Sequence, residues 1–243
     1  MNDIKISFCA SSIRPHLWPA MYNSLQANNL EWEMIMVGPN LGTSPGPRFR
    51  HIYSTVKPAQ CYEIAFRAAK GELLSWTADD ATYPANAVDT VYKFFKMFNN
   101  NKLVVAFRTI EDNRDITEGH RLRGRDTNAP RMAPFGVMNT KFFHELGGYD
   151  RRFICGQSEN DVVMRVYEAG GQLEIAPVPV LVHHQKAHST TVFRQEFFGH
   201  DRSILEGSWI RDKIIQNKRL DMFEPFSSDN ILTVTQSYKG QWE

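Results

Sequence analysis

The stretch from Gly71 to Pro84 constrains this chain most. Its apolar run, Leu73, Leu74 and Trp76, ends abruptly in the adjacent carboxylates Asp79 and Asp80, and Pro84 closes the segment. A buried strand ordinarily finishes in turn residues, not in paired charges. In an α/β sheet, the space beyond the carboxyl ends of the strands is where ligands bind. Two acids placed there can hold a hard divalent cation, which in turn holds phosphate. The competing explanation of such a pair is a turn followed by a helix cap.

The segments before this stretch alternate in type. Ile4 to Ala10 reads as a buried strand, followed by the small-residue turn Ser11-Ser12-Ile13-Arg14-Pro15. That turn suits either a phosphate or base, or an ordinary strand-to-helix connection with Ser12 as a cap. A helix is predicted over 17–28, a strand over 32–37 broken by Gly38-Pro39-Asn40, a loop over 41–50, a strand near 49–54 and a helix over 59–69. With the opening stretch as the next strand, the alternation argues for a parallel-type sheet covered by helices.

Downstream, Val88, Val91, Phe94 or Phe95, and Phe98 recur at helical spacing over 85–98, and Leu103 to Arg108 reads as a strand. The segment 109–132 is polar and rich in arginine (Arg114, Arg121, Arg123, Arg125, Arg131). A loop of that length in a compact domain is a candidate lid over an anionic ligand. A short strand over 135–139 and a helical turn over 140–146 lead to Gly147-Gly148, a C-cap pair. A helix over 161–169 follows, then two strands, 173–175 and 178–182, and the pair His183-His184. Beyond Ser189, Phe193, Phe197, Ile204, Leu205, Trp209, Ile214 and Ile215 predict two helices packing back on the domain, with a tail after Pro225.

Bulk properties narrow the function classes. A net charge of +1 over 243 residues gives no global basic field, so nucleic acid is not an expected partner. The three cysteines, Cys9, Cys61 and Cys155, form neither a disulfide framework nor a zinc cluster and point to a reducing compartment. The N-terminus enters a strand pattern directly, and no apolar run approaches the roughly 20 residues that span a bilayer. The expected location is cytoplasmic.

Three clusters carry candidate chemistry: Asp79-Asp80, Glu159 with Asp161, and His183-His184 with His188. Each also has a plain explanation as a turn, as acidic residues favouring a helix N-terminus, or as solvated strand-end histidines. Their order within this strand–helix alternation resembles family-2-like glycosyltransferases of the GT-A fold over about residues 4–190. The resemblance is carried by Ile6-Ser7-Phe8-Cys9-Ala10-Ser11-Ser12-Ile13-Arg14-Pro15, by Ala69-Lys70-Gly71-Glu72-Leu73-Leu74 leading into Thr77-Ala78-Asp79-Asp80, by Phe142 to Asp150, and by Ser158 to Arg165. It implies a GT-A (nucleotide-diphospho-sugar transferase) domain over 1–190, a mixed, mostly parallel sheet flanked by helices. Residues 191–243 would be a C-terminal helical extension and tail packing on it.

The resemblance further implies a glycosyltransferase that moves a sugar from a nucleotide-diphosphate sugar to an acceptor hydroxyl, metal-dependent and inverting. Ala10, Ser11, Arg14, Lys57, Asp79 and Asp80 would bind the nucleotide-sugar. Asp79 with His183 or His184 would hold Mn²⁺ or Mg²⁺. Glu159 would be the base, with Asp161 as the alternative, and Trp76, Tyr83 and Tyr149 are candidate stacking aromatics. The acceptor, whether glycan, lipid or protein, is left open. Two departures stand out: Thr77 replaces the first Asp of the Asp-x-Asp motif, and Gly38-Pro39-Asn40 replaces the usual acidic end of strand two. The first supports the alternative of a degenerate GT-A domain that binds nucleotide-sugar or glycan without catalysis, and the second leaves the identity of the nucleotide open. A nucleotidyltransferase is disfavoured because Ser11-Ser12-Ile13-Arg14 lacks that class's glycine-rich loop.

Overall fold

A computed structural model describes residues 3–122, 128–184, 191–209 and 223–226, and of 191–196 the backbone alone. Arg123, Arg125, His188, Ile214, Ile215 and the tail after 226 lie outside the described residues.

The chain begins with β1 (Ile6–Ser11), a 3-10 turn (Pro15–Leu17), α1 (Trp18–Leu25), β2 (Trp32–Gly38), β3 (Phe49–Tyr53), α2 (Pro58–Ala68) and β4 (Leu73–Trp76). β5 (Ala81–Thr82), α3 (Ala87–Met97), β6 (Leu103–Glu111), β7 (Arg114–Asp115) and β8 (Gly136–Asn139) follow. Then come α4 (Thr140–Glu145), α5 (Ser158–Glu168), β9 (Gln172–His183) and α6 (Thr191–Trp209). They build one sheet in the order β3-β2-β1-β4-β8-β6-β9-β5, with β7 paired to β6.

β3, β2, β1 and β4 run parallel, as do β6 and β9, while β8 lies antiparallel between β4 and β6. The chain therefore leaves β1 in one direction through β2 and β3, then returns to β1's other side as β4. That reversal is a topological switch point, where the carboxyl ends of two neighbouring strands open a ligand crevice. Ser12 and Asp79 stand at its two lips.

Alternation along β1 divides the core. Ile6, Phe8 and Ala10 face a layer with Trp18, Met21, Val88 and Phe95 of α1 and α3. Cys9 faces the opposite layer with Cys61, Ile64 and Phe66 of α2, Val162 and Val166 of α5, and Leu205 and Trp209 of α6. All of these are buried, and each large apolar side chain contributes ~1.5–3 kcal/mol by leaving water.

Three sequence expectations are corrected. The two strands expected over 173–182 are one twelve-residue strand, β9, that continues through Pro177 and Pro179. Its register against β6 shifts beside Pro179, and only its last residues pair with β5, so neither proline has to supply a central ladder donor. β6 runs on to Glu111 and returns as β7, so the polar segment opens with a hairpin. The helix expected from Asp161 starts at Ser158, which places Glu159 in its first turn.

Two glycines are dictated by close approach. A Cβ on Gly38 would sit 1.8 Å from the Ser12 carbonyl oxygen, so only glycine lets β2 end against the Ser12 turn. Gly148 adopts φ +77°, and a Cβ there would meet the Glu63 carboxylate at 2.6 Å. Among the described residues, no helix is long and apolar enough to cross a membrane.

Candidate functional site

Beyond β4 the two carboxylates diverge in their partners. Asp79 is 3% exposed; its Oδ2 accepts from Ser12 Oγ at 2.7 Å and from Arg14 Nε at 3.3 Å. The Arg14 guanidinium also pairs with Asp79 Oδ1, and Trp18 Nε1 donates to Ser12 Oγ at 2.8 Å. Both Asp79 oxygens are thus engaged within the protein. Burial pushes Asp79 above the usual carboxylate range, against the pull of Arg14 and Ser12.

Asp80 sits one residue further out. Its Oδ2 pairs with Arg14 Nη1 at 3.0 Å, while its Oδ1 faces His183 Nε2 at 3.3 Å. These last two atoms are buried, and neither has a hydrogen-bond partner within the protein by strict geometry. Burial opposes ionisation of Asp80, but the facing His183 and Arg14 outweigh it and hold the carboxyl at about 2. On the other side of the imidazole, His183 Nδ1 lies 2.8 Å from Glu111 Oε1. With Nδ1–H donating to Glu111, loss of the Nε2 proton would free a lone pair on the side that faces Asp80.

That arrangement answers whether these residues fit a divalent cation. A cation needs converging lone pairs, and adjacent ligands of an octahedral ion lie roughly 3 Å apart. Asp80 Oδ1 and His183 Nε2 meet that condition, and Glu111 supplies the carboxylate that orients a ligating histidine. No cluster of three or more ligating side chains occurs among the described residues. An ion held by this pair would complete its shell with water or ligand oxygens, as Mg²⁺ usually does. His184 points elsewhere: its Nε2 contacts Thr82 Oγ1 at 3.0 Å on the exposed side.

His183 also lines a cavity of ≈ 280 Å³ together with Glu111, His120, Trp76, Tyr149, Ser158, Glu159 and Phe198. Glu159 enters it from the first turn of α5. Asp161 does not line it. Its Oδ2 accepts from Arg165 Nε at 2.9 Å and its Oδ1 from Trp209 Nε1 at 2.8 Å. Arg165, 2% exposed, also donates to the Leu146 and Gly148 carbonyls at 2.6 and 2.5 Å. The Asp161–Arg165 pair therefore ties the glycine turn, α5 and α6 together.

Ala10 is fully buried on the α1/α3 face of β1, and Ser11 ends that strand, half-buried. Lys57 is buried outside the cavity lining; its ammonium donates to the Arg151 carbonyl, and burial pulls it down to about 8. Thr77 shares a 2.6 Å hydrogen bond with Tyr83, which is core and not a stacking surface. Trp76 and Tyr149 are buried wall residues of the cavity. Arg121 donates to the Ala129 carbonyl and lies near Glu118, which also pairs with Arg131; Arg114 is exposed in β7. Glu111, Phe198 and Asp201 carried no sequence signal, because each reaches the site from a distant segment.

No family model and no curated protein matches the sequence. Solved structures do match in shape. S. aureus TarS 1–349 in complex with UDP-GlcNAc superposes with a TM-score of 0.64 at 11% identity, over 87% of this chain and 68% of that one. S. aureus TarS gives 0.63 at 12% identity over 87% of this chain and 40% of that one. GalNAc-T7 with UDP, GalNAc and Mn²⁺ gives 0.63 at 11% identity over 87% of this chain and 49% of that one. The chain thus spans about 40% to 68% of the length of these proteins. At such identities the likeness establishes architecture: the chain has the GT-A fold.

Proposed function

We propose that this chain is a glycosyltransferase that moves a sugar from a nucleotide-diphosphate sugar to an acceptor hydroxyl with inversion at the anomeric carbon. One observation carries the reading: His183, backed by Glu111 and facing Asp80, shares a single cavity with Glu159. A cation-competent pair and a carboxylate base at one cavity are what a displacement at a phosphate-activated carbon requires. The fold is shared with proteins solved with UDP-GlcNAc or with UDP, GalNAc and Mn²⁺, which supports a uridine nucleotide as the first donor to test.

In this reading the donor's diphosphate lies over the switch point between β1 and β4. Asp80 and His183 would hold Mn²⁺ or Mg²⁺, which supplies Lewis-acid neutralisation of the departing nucleotide diphosphate. Ser12 and Arg14 keep Asp79 and Asp80 in place. Glu159 takes the proton of the attacking hydroxyl as its oxygen bonds to the anomeric carbon and the carbon–phosphate-oxygen bond breaks. The proton ends on Glu159, and the electron pair leaves with the nucleotide.

The test is incubation of the full chain with UDP-GlcNAc and other nucleotide-sugars, with Mn²⁺ or EDTA, while free nucleotide and glycosylated product are followed by mass spectrometry. Metal-dependent nucleotide release supports the reading. The degenerate, non-catalytic reading is favoured by Thr77 and by the complete engagement of Asp79. Nucleotide-sugar binding without release or transfer over long incubation would establish it instead.

A further inference from the structure

We infer that the cavity wall formed by the first turn of α5 and by α6 is an acceptor subsite for a saccharide ring, with Phe198 as its stacking surface. The inference rests on the glycosyltransferase reading and names the acceptor class for the same site.

Phe198 is 46% exposed, although it lines the cavity. The other large exposed apolar side chains among the described residues, Leu41, Tyr53 and Met97, lie outside that lining. A half-exposed aromatic ring at a cavity wall offers a flat apolar surface at little cost in side-chain entropy. Beside it, Ser158 is 2% exposed and lines the same cavity, yet its buried Oγ has no hydrogen-bond partner. A buried hydroxyl left unpaired is costly, so a ligand oxygen that pairs with it is rewarded.

The start of α5 adds donors. Gln157 precedes the helix at φ +63°, a strained conformation for a side chain of its kind, and it makes no side-chain cap. Its Oε1 instead accepts from Asn160 Nδ2 at 2.7 Å. The first-turn N–H groups of this eleven-residue helix therefore have no side-chain cap from the Gln157 position.

α6 fixes Phe198 against this edge. Three residues along the same helix face, fully buried Asp201 accepts from the backbone N–H groups of Ile154, Cys155 and Gly156 at 2.9, 2.8 and 2.9 Å. Trp209 reaches Asp161 from the helix's far end. Phe198 and Glu159 are thus held in one frame.

The chemistry selects a saccharide. A sugar ring presents an apolar C–H face, which suits Phe198, and a rim of hydroxyls, which suits a hydroxyl that both donates and accepts and a row of N–H donors. A volume of ≈ 280 Å³ accommodates a ring; an acyl chain needs a long apolar groove. Allocation to the acceptor follows from Glu159, since a base must lie within reach of the hydroxyl that it deprotonates.

The experiment is saturation-transfer NMR of the full chain, in the presence of UDP and Mn²⁺, with methyl glycosides of glucose, galactose and N-acetylglucosamine. A Ser/Thr peptide and dodecanol serve as competing acceptor classes, and transfer to all of them is assayed with UDP-GlcNAc. Expected are saccharide signals in the wild type, and about tenfold weaker saccharide binding in Phe198→Ala with stabilisation by UDP retained. Phe198→Tyr should restore binding, and Ser158→Ala should weaken it. Exclusive use of the peptide or of dodecanol, or unchanged saccharide binding in Phe198→Ala, would overturn the inference. Saccharide binding lost in Phe198→Ala, but without nucleotide release from any donor, would uphold the subsite while refuting the transferase reading.

Discussion

His183 Nε2 and Asp80 Oδ1 face each other at 3.3 Å, both buried and neither hydrogen-bonded. Two electron-rich atoms are stable at that distance only if a proton or a cation lies between them. If it is a cation, His183→Ala and Asp80→Ala should each abolish the extra thermal stabilisation that Mn²⁺ gives in the presence of UDP. His184→Ala should retain it, because that ring contacts Thr82 on the exposed side. Mn²⁺-dependent stabilisation that survives in His183→Ala would exclude His183 as a ligand of the cation.

Glu111 stands behind the same imidazole, 2.8 Å from Nδ1. Glu111→Gln keeps the size of the side chain but gives up the carboxylate that fixes the His183 tautomer. The expected effect is ~10- to 100-fold weaker Mn²⁺ affinity, measured by calorimetry or by electron paramagnetic resonance of free Mn²⁺. Unchanged affinity would place Glu111 outside the support of His183.

Much of the fold was legible because its signals are local. The apolar runs of β1, β2 and β4 and the 3.6-residue period of α3 do not depend on distant residues. The sequence reads as two strands over 173–175 and 178–182, whereas β9 is continuous; its short pairing with β5 leaves Pro177 and Pro179 without a ladder donor to supply. The candidate site divides in the same way. Asp79, Asp80, Glu159 and His183 announce themselves at element ends. Glu111 meets His183 across 72 residues, and Asp201 caps a loop 45–47 residues before it, which no local pattern encodes. Asp161 and Arg165 lie within a motif read as catalytic, but their four-residue helical spacing serves a buried ion pair.

That pair separates architecture from chemistry at the start of α5. Asp161→Ala would leave the buried Arg165 guanidinium uncompensated and Trp209 Nε1 without an acceptor. A loss of ~3–5 kcal/mol in urea unfolding is expected. Glu159→Gln should leave the unfolding midpoint unchanged while slowing transfer by ~10²-fold or more, as removal of a general base does. An active Glu159→Gln enzyme would exclude Glu159 as the base.

Lys57 makes stability depend on alkaline pH. The buried ammonium is pulled down to about 8 chiefly by desolvation, against the attraction of Asp201 and Asp150, while the unfolded chain titrates near 10.5. Between those values the unfolded state binds more protons than the folded state, so this group's contribution to stability rises with pH. Below pH 8 both states are charged, and the full penalty of the buried cation applies. Above 10.5 both are neutral, and the penalty has gone. The difference amounts to about 3 kcal/mol at most. Urea unfolding at pH 7.5 and pH 10 should therefore show a rise in the wild type relative to Lys57→Met, which lacks the titrating group. Equal pH dependence in the two proteins would mean that Lys57 carries its charge unperturbed, through solvent access to the space beside Arg151.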